Sequence, residues 1–203
     1  GEPRAKEFSE GGLLGMLRRA RAEHVVDGGP ASRGGLQPGD VIAEWGTIAN
    51  PTFAEVMEVI RASANRPIRV FVERGGQRVG PLEITPRREF RLFSQGDPKV
   101  QVRFAYGECD RPIVAAVEPD SPAAAMGLPR GAELLEIDGR PVRDWYDVVD
   151  VLMAAAGRTV DVRYRSGGDE GAGRVGGAAG RRGGAGWRCR GASWRSWGCG
   201  ARA

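Results

Sequence analysis

The chain carries an internal repeat with a period of 92 residues, because residues 25–76 align without a gap on residues 117–168. This period exceeds the roughly 20 to 50 residues of solenoid repeats and matches the size of a small domain. The sequence therefore predicts two copies of one folding unit in tandem. The matched pairs include Pro30-Ala31 with Pro122-Ala123, Gly35-Leu36 with Gly127-Leu128, Gly39 with Gly131, Glu44 with Glu136, and Gly75-Gly76 with Gly167-Gly168.

The two copies share one predicted order of elements. A short apolar strand ends in a turn, a one- or two-turn helix and further short strands follow, and a longer helix precedes the last strands. The longer helices begin after Thr52 and Asp144, where apolar residues recur every three to four positions. Residues 67–72 and 159–164 alternate as strands. This pattern predicts an α+β fold made of two small β-sandwich or barrel domains, each with one short and one longer helix.

The positive charge of the chain is concentrated at its C-terminal end. The formal net charge is +4, yet the stretch from Gly167 onward holds seven arginines against two acidic residues, Asp169 and Glu170. The first 166 residues are therefore close to neutral. Because binding to phosphate groups needs a clustered cationic surface, we expect no nucleic-acid partner for this part of the chain.

Residues 167–203 are rich in Gly, Ala and Arg and show no hydrophobic periodicity. Such a segment buries too little apolar surface to offset the entropy of ordering, so the sequence predicts a disordered tail. One alternative is that the tail is read out of frame, since Gly, Ala, Arg, Trp and Cys dominate misread GC-rich genes. A second alternative is an arginine/glycine RNA-binding segment, but the tail lacks the regular aromatic interleaving that base stacking needs.

Cysteine usage and hydropathy predict a chain that is soluble as given. Cys109 stands alone in the first 166 residues, while Cys189 and Cys199 lie in the tail without metal-ligand spacing. The sequence has no apolar run of about 20 residues and no signal-peptide pattern. Because the first residue is Gly1, we expect a segment excised from a longer polypeptide.

The inventory of reactive side chains argues against catalysis by this chain. His24 is the single histidine, so it cannot supply the two histidines of an HExxH zinc site. No nearby acid and serine suggest a Ser-His-Asp set around it. Lys6 and Lys99 could serve a Ser/Lys pair, but neither lies in a segment that resembles a site. We therefore expect no catalytic residue, no metal ligand and no cofactor within these 203 residues.

Residues 121–139 read SPAAAMGLPRGAELLEIDG, and residues 29–42 read GPASRGGLQPGDVI. These stretches resemble the core motif of bacterial PDZ domains. The resemblance implies a first PDZ-like domain at 11–86, a linker at 87–99 and a second PDZ-like domain at 100–166, with the tail at 167–203 outside it.

In the PDZ family a peptide adds as a strand beside the longer helix, and backbone N–H groups of a glycine loop receive its terminal carboxylate. The loop signature is similar to Leu14-Gly15-Met16, which lies 92 residues before Tyr106-Gly107-Glu108. Glu108 would repel a carboxylate, so the resemblance favours terminal carboxylates in the first groove and internal or looped segments in the second.

The same resemblance implies apolar groove walls in both copies, although we expect about half of these positions to be packing residues. Trp45 and Trp145 fit either the core or a groove rim. His24 fits an ordinary strand position better than a pH-sensitive groove contact. The implied peptide-binding residues are Leu14, Gly15, Met16, His24, Val25, Val56, Val59 and Ile60 in the first copy, and Tyr106, Gly107, Ile113, Val114, Val148, Val149 and Leu152 in the second.

Two protease families carry PDZ tandems of this kind. Residues 131–148 and the hairpin at 72–86 resemble site-2 intramembrane zinc proteases, and Deg/HtrA serine proteases are the alternative parent. The resemblance implies a peptide-binding part of an envelope protease, on the periplasmic side of a bacterial inner membrane, with peptide segments or protein C-termini as partners. Zinc and any membrane tether would then belong to a missing part of the parent. A structural or assembly module with self-filled grooves is the competing interpretation.

Overall fold

The structure, a computed structural model, describes residues 13–91, 94–100, 102–105, 111–155 and 157–176. These residues form strands and short helices around two separate hydrophobic cores, which define a first and a second lobe. The architecture is mostly β-sheet with a few helices, as the predicted PDZ-like α+β class requires. Within the described ranges, no helix is long and apolar enough to cross a bilayer.

The first lobe is built on a six-stranded sheet with the order β6-β5-β3-β2-β9, in which β4 also pairs with β3. Two helices cover it, and Trp45, Val56 and Ile60 fill its core. Its elements are β2 (Arg21–Val25), α1 (Pro30–Arg33), β3 (Val41–Trp45), β4 (Ile48–Ala49), α2 (Phe53–Ala62), β5 (Ile68–Arg74), β6 (Gln77–Ile84) and β9 (Val102–Ala105).

The second lobe joins a four-stranded sheet of order β12-β11-β13-β14 to a two-stranded sheet of β1 and β10. A bridge between Ile113 and Glu133 connects the two sheets. Leu134, Trp145 and Val148 lie in its core. Its elements are β1 (Met16–Arg18), β10 (Val114–Val117), α3 (Pro122–Ala125), β11 (Glu133–Ile137), β12 (Arg140–Pro141), α4 (Trp145–Ala154), β13 (Thr159–Ser166) and β14 (Asp169–Gly176).

Both longer helices begin at the predicted capping residues. Thr52 caps α2 in a capping box, since Glu55 N donates to Thr52 Oγ1 (3.3 Å) and Thr52 N donates to Glu55 Oε2 (2.8 Å). Asp144 caps α4 by accepting from the backbone N–H groups of Tyr146 and Asp147. These bonds satisfy amide groups that a helix leaves unpaired in its first turn, so local sequence determines where each helix starts.

The two copies exchange strands. β1 pairs antiparallel with β10 of the second copy, and Met16 lies opposite Val117. β9 pairs antiparallel with β2 of the first copy, and Ala22 lies opposite Phe104. The predicted domain boundaries at 11–86 and 100–166 therefore do not coincide with the lobes, because strand pairing is decided by tertiary contacts that a sequence repeat leaves open.

The predicted linker at 87–99 is a β-hairpin. β7 (Arg87–Arg91) pairs antiparallel with β8 (Ser94–Lys99), and Arg87 lies opposite Lys99. β8 lies alongside α2, and the next residue, Val100, is buried in the first core. The sequence did not predict these strands, because residues 87–99 include many charged and polar residues and show no regular apolar alternation. The strands are stabilised by the hydrogen bonds that they form with each other.

The predicted disordered tail starts too early at Gly167. β14 pairs with β13 along its whole length, from Ser166 opposite Asp169 to Thr159 opposite Gly176. The glycines of β14 allow the C-terminal end of α3 to pack closely on this strand, because a Cβ on Gly173 would lie 2.4 Å from Cγ of Met126, the C-cap of α3. Residues 167–176 therefore complete the second lobe, and residues 177–203 lie outside the described residues.

Candidate functional site

The loop before β1 has an unusual backbone. Leu14 and Gly15 both have positive φ, at 56° and 87°, a conformation that is uncommon for a leucine. The carbonyl of Leu14 accepts from Ala123 N (3.1 Å), and the carbonyl of Gly15 accepts from Glu118 N (2.8 Å). Because a trans peptide points its N–H opposite its C=O, the Gly15 N–H is directed away from α3.

Glycine is required at position 15 by close contact with the second lobe. A Cβ at Gly15 would lie 2.1 Å from Ser121 Cβ and 2.2 Å from Ser121 Oγ. Ser121 caps α3 by accepting from Ala124 N at 3.1 Å. The loop is therefore pressed against the start of α3, and any side chain at position 15 would push it away.

The strand that follows the loop belongs to the second lobe by packing. Met16 is buried in the core that includes Val148 and Trp145 of α4. At the other end of β1, the Arg18 guanidinium carbon lies 5.6 Å from the Trp145 ring centroid, within cation–π range. The loop and β1 of the first copy thus lie beside the longer helix of the second copy.

The structure separates the residues that the sequence assigned to a first groove. The loop Leu14–Met16 lies in the second lobe, so the expectation that it serves the groove beside α2 is wrong. The reason is the strand exchange, which places β1 on β10. The loop shares the second lobe with Ile113, Val114, Val148, Val149 and Leu152, while His24, Val25, Val56, Val59 and Ile60 lie in the first lobe. Tyr106 and Gly107 lie outside the described residues.

About half of the predicted wall positions are core residues. Both ambiguous tryptophans, Trp45 and Trp145, are also buried and fill the cores. The buried wall positions are Val25, Val56, Ile60, Ile113, Val114 and Val148. The positions with accessible surface are His24, Val59, Val149 and Leu152.

Sequence reasoning missed the contacts that hold the loop. Leu13 packs against the second core with Leu14, and the Leu13 carbonyl accepts from Met16 N at 3.0 Å. Ser121 forms the surface beneath Gly15. Ser121 is the first residue of the quoted SPA motif, so the motif signalled a helix cap but not its contact with the other copy.

Charged groups anchor the chain where it passes from the second lobe to the first. Arg19 donates to both oxygens of Glu73 on β5, at 2.9 and 3.1 Å. Burial raises the pKa of Glu73, but the bonds and charge of Arg19, helped by Arg111 and Arg78, outweigh it and lower the pKa overall. Glu73 therefore stays ionised and holds Arg19. In the described residues, no group of three or more His, Cys, Asp or Glu side chains is arranged to hold a metal ion.

Comparison with known proteins gives a family match for part of the second lobe. Residues 113–166 match the PDZ domain family, and they span β10 to β13 of the second lobe. These residues are therefore similar to a PDZ domain. PDZ domains are non-catalytic modules that generally bind peptide segments. The matched PDZ range excludes both β1 and β14, which complete its two sheets.

The PDZ segment resembles those of zinc metalloproteases. The chain is 31% identical over 126 residues to a protein of Treponema pallidum (strain Nichols) described as "Putative zinc metalloprotease". The similarity covers 62% of this chain but 26% of the relative. The chain thus spans about a quarter of the length of this relative.

Proposed function

We propose that the chain is a tandem of two PDZ-like domains that binds peptide segments and selects or filters substrates for a site-2 type intramembrane zinc protease. The PDZ match and the description of the treponemal relative support this proposal. Proteolysis, its zinc ion and a membrane tether would lie in parts of the parent protein beyond these residues. The tandem would then act on the periplasmic side of the inner membrane.

The observation that carries the proposal is the arrangement of the loop, β1 and α4 in the second lobe. β1 is an edge strand of its described sheet, since its partner there is β10. A peptide could add to the other edge of β1, with its carboxylate at the Leu14-Gly15 turn and apolar side chains near Val149 and Leu152. The second lobe is therefore the proposed site for terminal carboxylates, in place of the first.

The test uses the full chain and a library of short peptides that end in apolar residues, each made with a free carboxylate and as its C-terminal amide. Val149→Glu should weaken binding by about tenfold or more, because an apolar contact worth about 1.5 kcal/mol or more is lost. Met57→Glu is the matched control, since Met57 precedes Val149 by one repeat and is also half-buried. It should leave carboxylate-dependent binding unchanged. Equal binding of acids and amides, or loss with Met57→Glu alone, would contradict the assignment.

A structural module is the second candidate, and the strand exchange favours it. β9 covers the edge of β2, and β1 covers the edge of β10, so each lobe already holds a strand of the other copy. Such mutual pairing could serve to hold two lobes at a set spacing. If no peptide shifts the amide resonances of β1 or α4, the module interpretation is preferred.

An HExxH motif upstream in the gene would support the zinc protease parent, whereas an upstream His/Asp/Ser domain would indicate a Deg/HtrA parent.

A further inference from the structure

The loop in the second lobe is attached to the first lobe through a single residue. β1 ends at Arg18, and Ala20 is already bonded in the first lobe, where its N–H donates to Pro51 O and its carbonyl accepts from Ile42 N, both at 2.9 Å. Only Arg19 lies between. The placement of β1 and its loop relative to the first lobe therefore depends on the conformation of Arg19.

Arg19 is itself fixed. It is 3% exposed, which is rare for an arginine. Its two terminal nitrogens bond both oxygens of Glu73, while its buried Nε has no hydrogen-bond partner among the described residues. A fork-to-fork pair of this kind restricts both the distance and the plane of the guanidinium.

Stability alone is a weak reason for this pair, in which the Arg19 side chain is 2% exposed and fully buried while that of Glu73 is 26% exposed and half-buried. Desolvating a guanidinium and a carboxylate costs free energy that their attraction does not fully return, and apolar replacements of buried pairs are often neutral or stabilising. Burying the Nε of Arg19 without a hydrogen bond from the described residues raises the free-energy cost of burial further. Setting register is the best-attested use of a buried ion pair. Here the pair lies at the point where the chain passes between lobes.

We infer that Arg19, held by Glu73, is a positioning residue that orients β1 and the Leu13–Gly15 loop for peptide binding in the second lobe. The inference rests on the proposed peptide-binding function for its effect on affinity. The effect of Arg19 on the orientation of β1 and the loop does not depend on a peptide and can be measured on the chain without one. Glu73 lies on β5 of the first lobe, so a residue of one lobe sets the geometry of the site on the other.

The first test measures amide hydrogen exchange of the full chain without any ligand. In Arg19→Met/Glu73→Leu, the amides of Met16, Glu118 and Ala123, which donate to the carbonyls of the loop, should exchange about tenfold faster, within the roughly 2- to 30-fold range of coupling contacts. Core amides of Val70 and Val72 should keep their protection. The matched control is Arg74→Met/Asp40→Asn. It removes another ion pair of the first lobe, from Arg74 Nε to Asp40 Oδ1 at 2.7 Å, which does not involve residues 18–20. It should leave the exchange of Met16 and Ala123 unchanged.

The second test measures affinity for the tightest-binding free-carboxylate peptide of the library. The Arg19→Met/Glu73→Leu chain should bind about tenfold more weakly at unchanged or raised Tm, and Arg19→Lys should also bind more weakly, because a lysine keeps the charge but not the two-bond geometry. Unchanged exchange at Met16 and Ala123 in the Arg19→Met/Glu73→Leu chain would overturn the inference whether or not a peptide binds. Faster exchange with no peptide binding at all would sustain the positioning role and refute the proposed function instead.

Discussion

Arg130 of the second lobe forms a two-bond ion pair with Glu55 of the first, with Nη2 2.5 Å from Oε1 and Nη1 3.2 Å from Oε2. The Nη1 group also approaches the carbonyls of Ala49 and Asn50 at 3.4 Å. Glu55 is the residue that completes the capping box of α2. One carboxylate therefore both starts a helix and holds the other lobe.

Replacing Arg130 by alanine should lower the free energy of unfolding by about 0.5–1 kcal/mol, because the side chains of Arg130 and Glu55 are 39% and 26% exposed and solvent screens the pair. The loss should shrink at high salt. Urea unfolding at low and high salt measures it. Arg158→Ala is the control, since Arg158 pairs with Asp138 inside the second lobe at 3.7 Å and should change nothing measurable. A salt-independent loss would argue against the ion pair.

Gly15→Ala should destabilise the second lobe more than Gly127→Ala does. Both glycines have positive φ, so each alanine costs about 1–2 kcal/mol of backbone strain. Gly127 has open space around it, whereas a Cβ on Gly15 would overlap Ser121, which adds about 1–3 kcal/mol. Chemical denaturation followed by circular dichroism reports the difference. Equal losses for the two variants would show that the loop before β1 does not dock on α3.

Gly173→Ala should cost about 1–3 kcal/mol, because its Cβ would meet Met126 Cγ and Sδ at 2.4 and 2.7 Å. Gly176→Ala on the same strand should cost little, since the nearest atom is Thr159 Oγ1 at 3.8 Å. A double-mutant cycle with Met126→Ala should recover part of the Gly173→Ala loss. Two neutral substitutions would mean that β14 does not pack on the lobe.

Acid should destabilise the fold through Glu73 and Glu55. Burial raises the pKa of each, but the hydrogen bonds from Arg19 and from Arg130 and Thr52 lower both below the ordinary 4.5. A carboxyl with a lowered folded pKa stabilises above its unfolded pKa and loses that contribution as pH falls. Unfolding free energies from about pH 6 to about pH 3 should therefore fall, and less steeply in Glu73→Gln. An unchanged slope in Glu73→Gln would contradict the Arg19–Glu73 pair.

A fragment of residues 111–176 should not unfold cooperatively, although it contains the whole range matched by the PDZ family. It lacks β1, and losing a buried methionine such as Met16 costs about 2–5 kcal/mol, a large share of the stability of a small domain. Fusing residues 13–18 to it, or adding them as a peptide, should restore a cooperative transition seen by circular dichroism. Native-like unfolding of the bare fragment would show that β1 is dispensable.

The sequence alone determined the repeat, the element order within each copy and the starts of both longer helices. These features depend on local chemistry: Thr52 and Asp144 satisfy amides within three residues, and apolar periodicity marks each buried face. The similarity to PDZ domains of zinc metalloproteases also followed from contiguous motifs, and the comparisons confirm it.

Only the tertiary structure decided which strand pairs with which. Two copies offer β1 two similar partners, β2 and β10, and no local signal distinguishes them. The sequence did not predict the hairpin at 87–99 or strand β14 for a related reason. Both are held by pairing with a neighbouring strand, and β14 also depends on the close packing that its glycines allow, whereas neither shows a regular apolar pattern. Pairing between distant strands is a property of the folded chain, so the loop at Gly15 came to lie on the second lobe.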